Sequence, residues 1–468
     1  MLVKKSTYKD VKGRIFGNPA RTIVCSFLLL QAIGTVLLML PVSLEKSGSL
    51  SFLEALFTSV SATCVTGLSV HGSLLFFTDF GKAVILFLVQ VGALGLVTLA
   101  TTFFSIFHGR LKNRSVLMAQ ESTDVLSFTN VKSLFRFIFF VTISFELLGT
   151  LVFSFQFIPR YGVGRGLFYS FFQSVSAFCN AGFDFSGSIE NGTHIAADMF
   201  NGHPVILLTT AILTIFGGVG FVVWQDFFSF RKTKRLHFHT KIILCGTVLL
   251  LLLGTFGYML LEWGNVSKES MGTLPSWQRP FAAFFLSVNM RSAGYSSLRL
   301  SALSDGSKLL SIFLMFIGAG PGSVGGGIRI TTFSVLIFSV LSEIRGEKDV
   351  LAGKRRIGES TVKRSLSILF FTLSMIFLLS FLLCFIESDS ILSGEFSFLD
   401  ILFESTATLS TTGLSTLGTK NFSELGQICI IPFMLIGRIG PLTLALSILA
   451  KEKKSSEYLY PEGNILLG

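Results

Sequence analysis

Four short segments rich in serine, threonine and glycine recur along the chain, each between long apolar runs. Their central glycines are Gly67, Gly182, Gly294 and Gly413, which lie 115, 112 and 119 residues apart. A phenylalanine stands ten residues before each glycine, at Phe57, Phe172, Phe284 and Phe403. A shared spacing with a shared landmark predicts an internal repeat of four units, of which the third, FFLSVNMRSAGYSS, is the most divergent.

The composition is typical of a membrane protein, because 50% of the residues are hydrophobic and only 14% are charged. Roughly 20 apolar residues span a bilayer as a helix. That length predicts eight crossings, at 22–42, 81–106, 134–158, 204–230, 241–262, 309–342, 366–386 and 427–450. We therefore predict an all-α polytopic membrane protein of four pseudo-repeats, each a membrane helix, a pore loop and a membrane helix, around one central pore. The predicted units are 1–108, 109–230, 231–343 and 344–468, each with one of the four glycine loops.

Lysine and arginine give the chain a net charge of +11, but they are spread over several clusters rather than gathered on one patch, which argues against a nucleic-acid partner. The clusters lie at 4–14, 110–114, 231–241, 345–364 and 451–454, at the termini or between units. The positive-inside rule therefore places both termini and all unit junctions in the cytoplasm. We read the first apolar run as a membrane helix rather than a cleaved leader.

In each unit a run too short to cross the bilayer precedes the glycine, which predicts a half-helix followed by an extended loop. Non-helical backbone is tolerated at membrane depth only when it is buried in protein or lines water. Four such loops around one axis would turn backbone carbonyls inward as cation ligands, and glycine would allow this without steric cost. Close helix packing is the alternative explanation of any one loop, but the fourfold recurrence favours the pore.

The segments SATCVTGLSV, SAFCNAGFDF, MRSAGY and TTGLST, with MFIGAGPGSVGGGIRITTF and MLIGRIGPLTLA, resemble the Trk/Ktr/HKT superfamily of cation uptake proteins. The closest resemblance is to the membrane subunit of bacterial Ktr systems, from about Asn18 to the C-terminus. It implies a multi-pass protein of the bacterial inner membrane that forms homodimers with one pore per protomer. It also implies a cytosolic ring of Rossmann-type subunits that bind ATP, ADP or NAD(H), with the C-terminal tail YLYPEGNILLG at the dimer interface.

The resemblance further implies that the carbonyls of the two residues before each glycine coordinate the ion. Those residues are Val65 and Thr66, Asn180 and Ala181, Ser292 and Ala293, and Thr411 and Thr412. Superfamily members with glycine in all four loops tend to select potassium, so we expect K⁺ as the transported ion. A sodium-permeable or sodium-coupled pathway remains the alternative, and the chain itself holds no site for an organic cofactor.

The second crossing of the third unit is interrupted by a glycine-rich run at 318–327 that cannot continue a helix. A structural kink and a functional loop both fit this run, and the resemblance favours a flexible gate beneath the filter. The expected gate residues are Gly318, Gly320, Pro321, Gly322, Ser323, Gly325, Gly326 and Gly327, together with Arg438 of the last crossing.

Two arginines within apolar segments need an explanation, since a charge facing lipid costs roughly 2.5–3.5 kcal/mol or more. We expect Arg438 to face the pore or a buried carboxylate. At about 8 Å from K⁺ it would repel by roughly 0.5 kcal/mol in water and about 2 kcal/mol at an effective dielectric of 20. We expect Arg291 to point away from the axis and support the filter by pairing with a carboxylate, with Glu404 and Glu54 as candidates.

The chain shows no catalytic arrangement of serine, histidine and acid, and no phosphate-binding loop, so we do not expect an enzyme. A membrane-embedded enzyme or scaffold is the remaining hypothesis from a different class. Among ionisable residues of the crossings we note chiefly Arg438, which favours simple permeation over coupling to a second ion.

Overall fold

The computed structural model describes residues 19–45, 50–70, 74–107, 131–183, 188–190, 193–195, 200–201, 203–267, 269–353 and 355–440. These residues form fifteen α-helices with short 3₁₀ turns and two small hairpins, which confirms the all-α fold class. The helices are α1 (Pro19–Met39), α2 (Phe52–Cys64), α3 (Asp79–Phe107), α4 (Val131–Tyr161), α5 (Val163–Phe178), α6 (Pro204–Val219), α7 (Phe221–Thr233), α8 (Phe238–Glu262), α9 (Arg279–Asn289), α10 (Asp305–Phe316), α11 (Ile330–Ile344), α12 (Glu359–Ile386), α13 (Ser388–Leu392), α14 (Phe398–Leu409) and α15 (Glu424–Ile439). The hairpins pair β1 (Ser188–Glu190) with β2 (Thr193–Ile195) and β3 (Leu351–Ala352) with β4 (Arg355–Arg356).

Four helices of the described residues are long and apolar enough to cross a membrane, namely α1, α4, α8 and α12. Each begins one of the four predicted units. Much of their surface is apolar and exposed, as expected of helices that face lipid tails.

The second crossings of the units differ from one another. Helix α3 is continuous over 29 residues, whereas α6 and α7 meet at an angle of 92° at Gly220. The predicted crossing at 204–230 therefore consists of two helices joined by a sharp bend, which was not predicted. Gly220 has φ 104°, which ends the helix, and the next N–H, of Phe221, bonds to the carbonyl of Gly322. The third unit is interrupted between α10 and α11 as expected, and 441–450 of the last predicted crossing lies outside the described residues.

Four shorter helices of 11 to 16 residues, α2, α5, α9 and α14, lead into the glycine loops. At 1.5 Å per residue the shortest is roughly 16 Å long, about half the hydrocarbon thickness of a bilayer. Each packs against the long helix that precedes it in the chain. The second helix of each unit also packs against the half-helix of the next, in the pairs α3–α5, α6–α9, α10–α14 and α15–α2. The last pair joins the end of the described chain to its beginning and closes a ring of four.

A buried serine of the half-helix marks the same position in three units. Its hydroxyl donates to a carbonyl of the long helix, and the pairs are Ser59 to Gln31 (2.7 Å), Ser174 to Glu146 (2.6 Å) and Ser287 to Leu251 (3.0 Å). Ser287 precedes its glycine by seven residues, whereas the serines of the first and second units precede theirs by eight, so the third unit is one residue shorter between these two points. The buried landmark phenylalanine of the third unit is accordingly Phe285, and the half-exposed Phe284 is not its equivalent. The predicted unit boundary near 108 lies beside residues 108–130, outside the described chain.

Candidate functional site

All four glycine loops share one backbone conformation. The residue two positions before each glycine is left-handed, and so is the glycine itself. The φ angles are 56° and 86° at Val65 and Gly67, 57° and 69° at Asn180 and Gly182, 68° and 85° at Ser292 and Gly294, and 48° and 77° at Thr411 and Gly413. Left-handed φ is costly for β-branched residues, two of which occur here. Strained backbone repeated at four equivalent positions indicates a functional constraint rather than an accident of packing.

Hydrogen bonding orients the residue before each glycine. Its N–H turns back to a carbonyl of the half-helix, from Thr66 to Ser61 (2.8 Å), Ala181 to Ser176 (2.9 Å), Ala293 to Asn289 (3.1 Å) and Thr412 to Ala407 (2.8 Å). These bonds cap the C-terminal ends of the four half-helices. With these amides held against the helices, the carbonyls of the same four residues lie against the glycines of neighbouring units.

The four loops contact one another in a closed ring. A methyl group added to Gly182 would lie 2.9 Å from the carbonyl oxygen of Ala293, and one added to Gly294 would lie 2.7 Å from that of Thr412. The same addition at Gly67 would overlap the oxygen of Ala181, and at Gly413 it would overlap the oxygen of Thr66. Each glycine therefore makes room for the carbonyl of the neighbouring unit. The ring explains why no residue with a Cβ fits at these four positions.

The interrupted segment 318–327 packs against this ring. The loop touches Asn180, since a methyl group on Gly325 would lie 3.4 Å from its Nδ2, and one on Gly326 would lie 2.6 Å from the carbonyl of Ser410. Its other side bonds to the bend between α6 and α7, where Gly320 N–H donates to Gly218 (2.9 Å). Six of the eight predicted gate residues of the loop are buried, namely Gly318, Gly320, Pro321, Ser323, Gly325 and Gly326, whereas Gly322 and Gly327 are half-buried.

Arg438 is buried near the end of α15 and connects three parts of the fold. Its Nη1 donates to the carbonyl of Val324 in the loop at 2.5 Å. Its Nη2 donates to the carbonyls of Gly92 (2.8 Å) and Ala93 (3.1 Å) in α3. Among the described residues, its hydrogen-bond partners are carbonyls, and no carboxylate of those residues pairs with it. The guanidinium thus lies beside the loop with neutral carbonyls as its hydrogen-bond partners.

Arg291 does not make the ion pair that the sequence suggested. Its Nη2 donates to the carbonyl of Gly318 at 3.3 Å, and no ion pair of the described residues joins it to Glu404 or Glu54. Glu54 lies at the start of α2, where its carboxylate and Ser51 form a capping box. Glu404 is buried in α14 with the Ser415 hydroxyl nearby. The partner of Arg291 is therefore the Gly318 carbonyl in the loop 318–327, a contact that the sequence alone does not show.

Two ionisable residues inside the apolar segments were not singled out from the sequence, the half-buried Arg329 and the buried Glu146. Arg329 lies where the loop enters α11 and donates to the carbonyls of Gly320 (3.4 Å) and Gly325. Glu146 lies within α4, where its carboxylate accepts from Gln90 Nε2 at 3.2 Å. The signal for both was present, since each is a single charge inside an apolar segment. The statement that the crossings offer chiefly Arg438 is therefore wrong.

A carbonyl-lined ring within a four-unit helical protein is a geometry that suits cation transport. The family profile described as TrkH, a cation transport protein, matches residues 4–458 of this chain. The chain belongs to the TrkH family of cation transport proteins. This is a family of transporters and not of enzymes, as expected from the sequence.

Several relatives are similar over nearly their whole length. The Ktr system potassium uptake protein B of Vibrio alginolyticus is 38% identical over 455 residues, covering 97% of this chain and 95% of the relative. The Bacillus subtilis (strain 168) protein of the same name is 35% identical over 451 residues, covering 96% and 97%. The potassium/sodium uptake protein NtpJ of Enterococcus hirae is 32% identical over 462 residues, covering 98% and 99%.

A solved structure shares the fold. The crystal structure of the potassium transporter TrkH from Vibrio parahaemolyticus superposes with a TM-score of 0.68 at 18% sequence identity. The match covers 96% of this chain and 87% of that one. The TrkH-family fold thus extends over almost the entire molecule.

Proposed function

We propose that this chain is the ion-conducting membrane subunit of a potassium uptake system, with permeation through the ring of four glycine loops. The observation that carries the proposal is the contact of each glycine with a carbonyl of the next unit. Rings of backbone carbonyls replace the hydration shell of a cation. The ligands in this proposal are the eight carbonyls named above, from Val65 and Thr66 through to Thr412.

Potassium is the proposed ion because all four loops have glycine and because two of the similar relatives are named potassium uptake proteins. A pathway that also admits or is coupled to sodium is the second candidate. It is favoured by the relative whose name includes both potassium and sodium. Both candidate functions use the same pore, and they differ in how strongly the carbonyl ring prefers K⁺ over Na⁺.

The loop 318–327 and Arg438 form the gate in this proposal. The loop packs directly against the carbonyl ring, and its backbone is held by arginine side chains and by backbone hydrogen bonds to the second unit rather than by a continuous helix. Elements of this kind can move without unfolding the helices that carry them. Arg291 and Glu404 support the ring from its periphery.

Regulation is proposed to come from a cytosolic ring of Rossmann-type subunits that bind ATP, ADP or NAD(H), acting on a homodimer of this chain in the bacterial inner membrane. Both termini and the unit junctions would be cytoplasmic, by the distribution of basic residues. The β3–β4 hairpin, with exposed Arg355 and Arg356, is the proposed contact surface. The C-terminal tail, which lies outside the described residues, is the proposed dimer contact.

The test is flux in proteoliposomes that hold the purified chain, with Rb⁺ and Na⁺ gradients compared in the wild type and in Gly67→Ser. We expect the wild type to pass Rb⁺ in preference to Na⁺. The variant should lose that preference, because the added side chain overlaps the carbonyl of Ala181. Gly164→Ser is the matched control, since a Cβ at Gly164 meets nothing within 4 Å.

Equal Rb⁺ and Na⁺ flux in the wild type would favour the sodium-permeable alternative. An unchanged preference in Gly67→Ser would contradict the assignment of the ring as the filter. If the wild type passes no cation, the measurement is repeated with the regulatory ring and nucleotide added, and continued absence of flux would contradict the pore.

A further inference from the structure

One hydroxyl connects the interrupted loop to the carbonyl ring. Ser292 Oγ accepts a hydrogen bond from the N–H of Gly326 at 2.7 Å. The same hydroxyl donates to the carbonyl oxygen of Thr411 at 3.1 Å, with the Thr411 hydroxyl at 3.5 Å. All three residues are buried. A single side chain therefore spans from the loop of the third unit to a proposed ion ligand of the fourth.

The equivalent positions of the other units make no such connection. Val65 offers no polar side chain, and the amide of Asn180 has no hydrogen-bond partner within the described residues. The Thr411 hydroxyl lies against Ser292 rather than bonding to a loop amide. The Ser292 hydroxyl both accepts and donates a hydrogen bond here, which an apolar side chain of similar size cannot do.

We infer that Ser292 is a positioning residue that transmits the position of the loop to the carbonyl of Thr411, so that gate and filter are coupled. This inference rests on the proposed function and deepens it. The chain of contacts runs from an amide through a hydroxyl to a carbonyl, and hydrogen bonds in series polarise one another in a low-dielectric interior. Docking of the loop thus holds the Thr411 carbonyl in place and strengthens the bond it accepts.

Displacement of the loop removes the Gly326 N–H from Ser292. The hydroxyl is then free to rotate, and the Thr411 carbonyl loses its fixed orientation. Discrimination between K⁺ and Na⁺ depends on the number and field strength of the coordinating carbonyls. Loop movement should therefore change selectivity as well as flux.

The experiment compares Ser292→Ala, Ser292→Thr and Ser287→Ala with the wild type, each alone and combined with Arg438→Gln, which removes a loop contact. The readouts are the ratio of Rb⁺ to Na⁺ flux in proteoliposomes and the rise in Tm that K⁺ produces relative to Na⁺ in detergent. The second readout reports ion binding without requiring flux. Ser287 is the matched control, because its buried hydroxyl bonds to Leu251 and not to the loop.

We expect Ser292→Ala to lower the flux ratio about fivefold, the size typical of one lost buried hydrogen bond. Ser287→Ala should leave the ratio unchanged. Ser292→Thr keeps the hydroxyl but places a β-branched residue at left-handed φ, so it should lower the ratio less than Ser292→Ala does. Arg438→Gln should also lower the ratio in the wild type. In the Ser292→Ala background it should raise flux without changing the ratio further, because the connection is already lost.

Independent, multiplicative effects of Ser292→Ala and Arg438→Gln on the ratio would overturn the inference, since a merely structural serine predicts them. Identical behaviour of Ser292→Ala and Ser287→Ala would overturn it as well. A wild type that shows neither flux nor stabilisation by K⁺ would instead count against the proposed function.

Discussion

The second crossings of the first and third units occupy comparable places in the ring but are built differently. Helix α3 runs unbroken from Asp79 to Phe107, whereas the third unit stops at Phe316 and resumes as a helix at Ile330. Both sequences contain glycine, but only the second has a proline within a cluster of glycines. The three glycines of α3 are compatible with a helix, whereas the cluster at 318–327 is not.

The difference shows how a membrane protein tolerates an opened helix. The backbone polar groups of α3 bond within the helix, but those of the loop need other partners at membrane depth. Loop amides donate to the carbonyls of Gly217 and Gly218 at the bend of the second unit. Loop carbonyls accept from three arginines, Arg291, Arg329 and Arg438. The three guanidinium groups thus supply hydrogen bonds to backbone carbonyls of the loop, which a buried non-helical segment needs.

Substitution of Arg438 should have the largest effect on stability and flux, because its guanidinium contacts both helix α3 and the loop 318–327. In Arg438→Gln the carbonyls of Val324, Gly92 and Ala93 lose a charged donor. We expect a loss of about 3 kcal/mol or more in the free energy of unfolding, since bonds to charged groups are worth roughly 1.5–3 kcal/mol each. Cation flux should rise because the loop is less firmly held. Unfolding in detergent and Rb⁺ uptake measure the two effects.

Lys363→Gln is the control for Arg438→Gln, because Lys363 makes an exposed pair with Glu359 on α12. Such exposed pairs contribute little to stability, because solvent screens them. If both variants unfold alike and pass Rb⁺ at the wild-type rate, Arg438 does not hold the loop.

A smaller effect is expected at the bend that receives the loop. Gly220 has φ 104°, and an added methyl group would lie 2.6 Å from the carbonyl of Pro321. Gly220→Ala should cost roughly 1–3 kcal/mol of stability, the usual range for a residue forced into such a conformation. Gly164→Ala should stay within about 1 kcal/mol of the wild type, because nothing lies within 4 Å of the added group. Thermal unfolding of the two variants side by side decides between strain at Gly220 and a general intolerance of alanine.

The sequence was sufficient for the parts of this fold that depend on local pattern. Apolar length predicted the long helices, and glycine spacing predicted the four loops. Composition at 318–327 predicted the interruption between α10 and α11. Each of these features depends on residues that are close together in the chain.

Features that depend on contacts between distant residues were missed or misjudged. The bend at Gly220 was not predicted, because one glycine in an apolar run is compatible with a straight helix or with a bent one. The partner of Arg291 was expected to be a carboxylate, since opposite charge is the simplest inference from a list of residues. A backbone carbonyl 27 positions away also accepts from a guanidinium, but every residue has one, so the sequence does not single it out.

The smallest effect is expected from Arg291, and it tests that corrected contact. Arg291→Met removes one bond to Gly318, at the long distance of 3.3 Å, and should cost about 1 kcal/mol. If Arg291 instead paired with Glu404, combining Arg291→Met with Glu404→Gln would give a non-additive loss. The structure predicts additivity within about 0.5 kcal/mol, as for residues that share no contact. Chemical unfolding of the two single variants and the double variant gives the coupling energy. A coupling energy above about 0.5 kcal/mol would indicate that Arg291 pairs with Glu404. Loop carbonyls would then accept from two arginines, Arg329 and Arg438, instead of three.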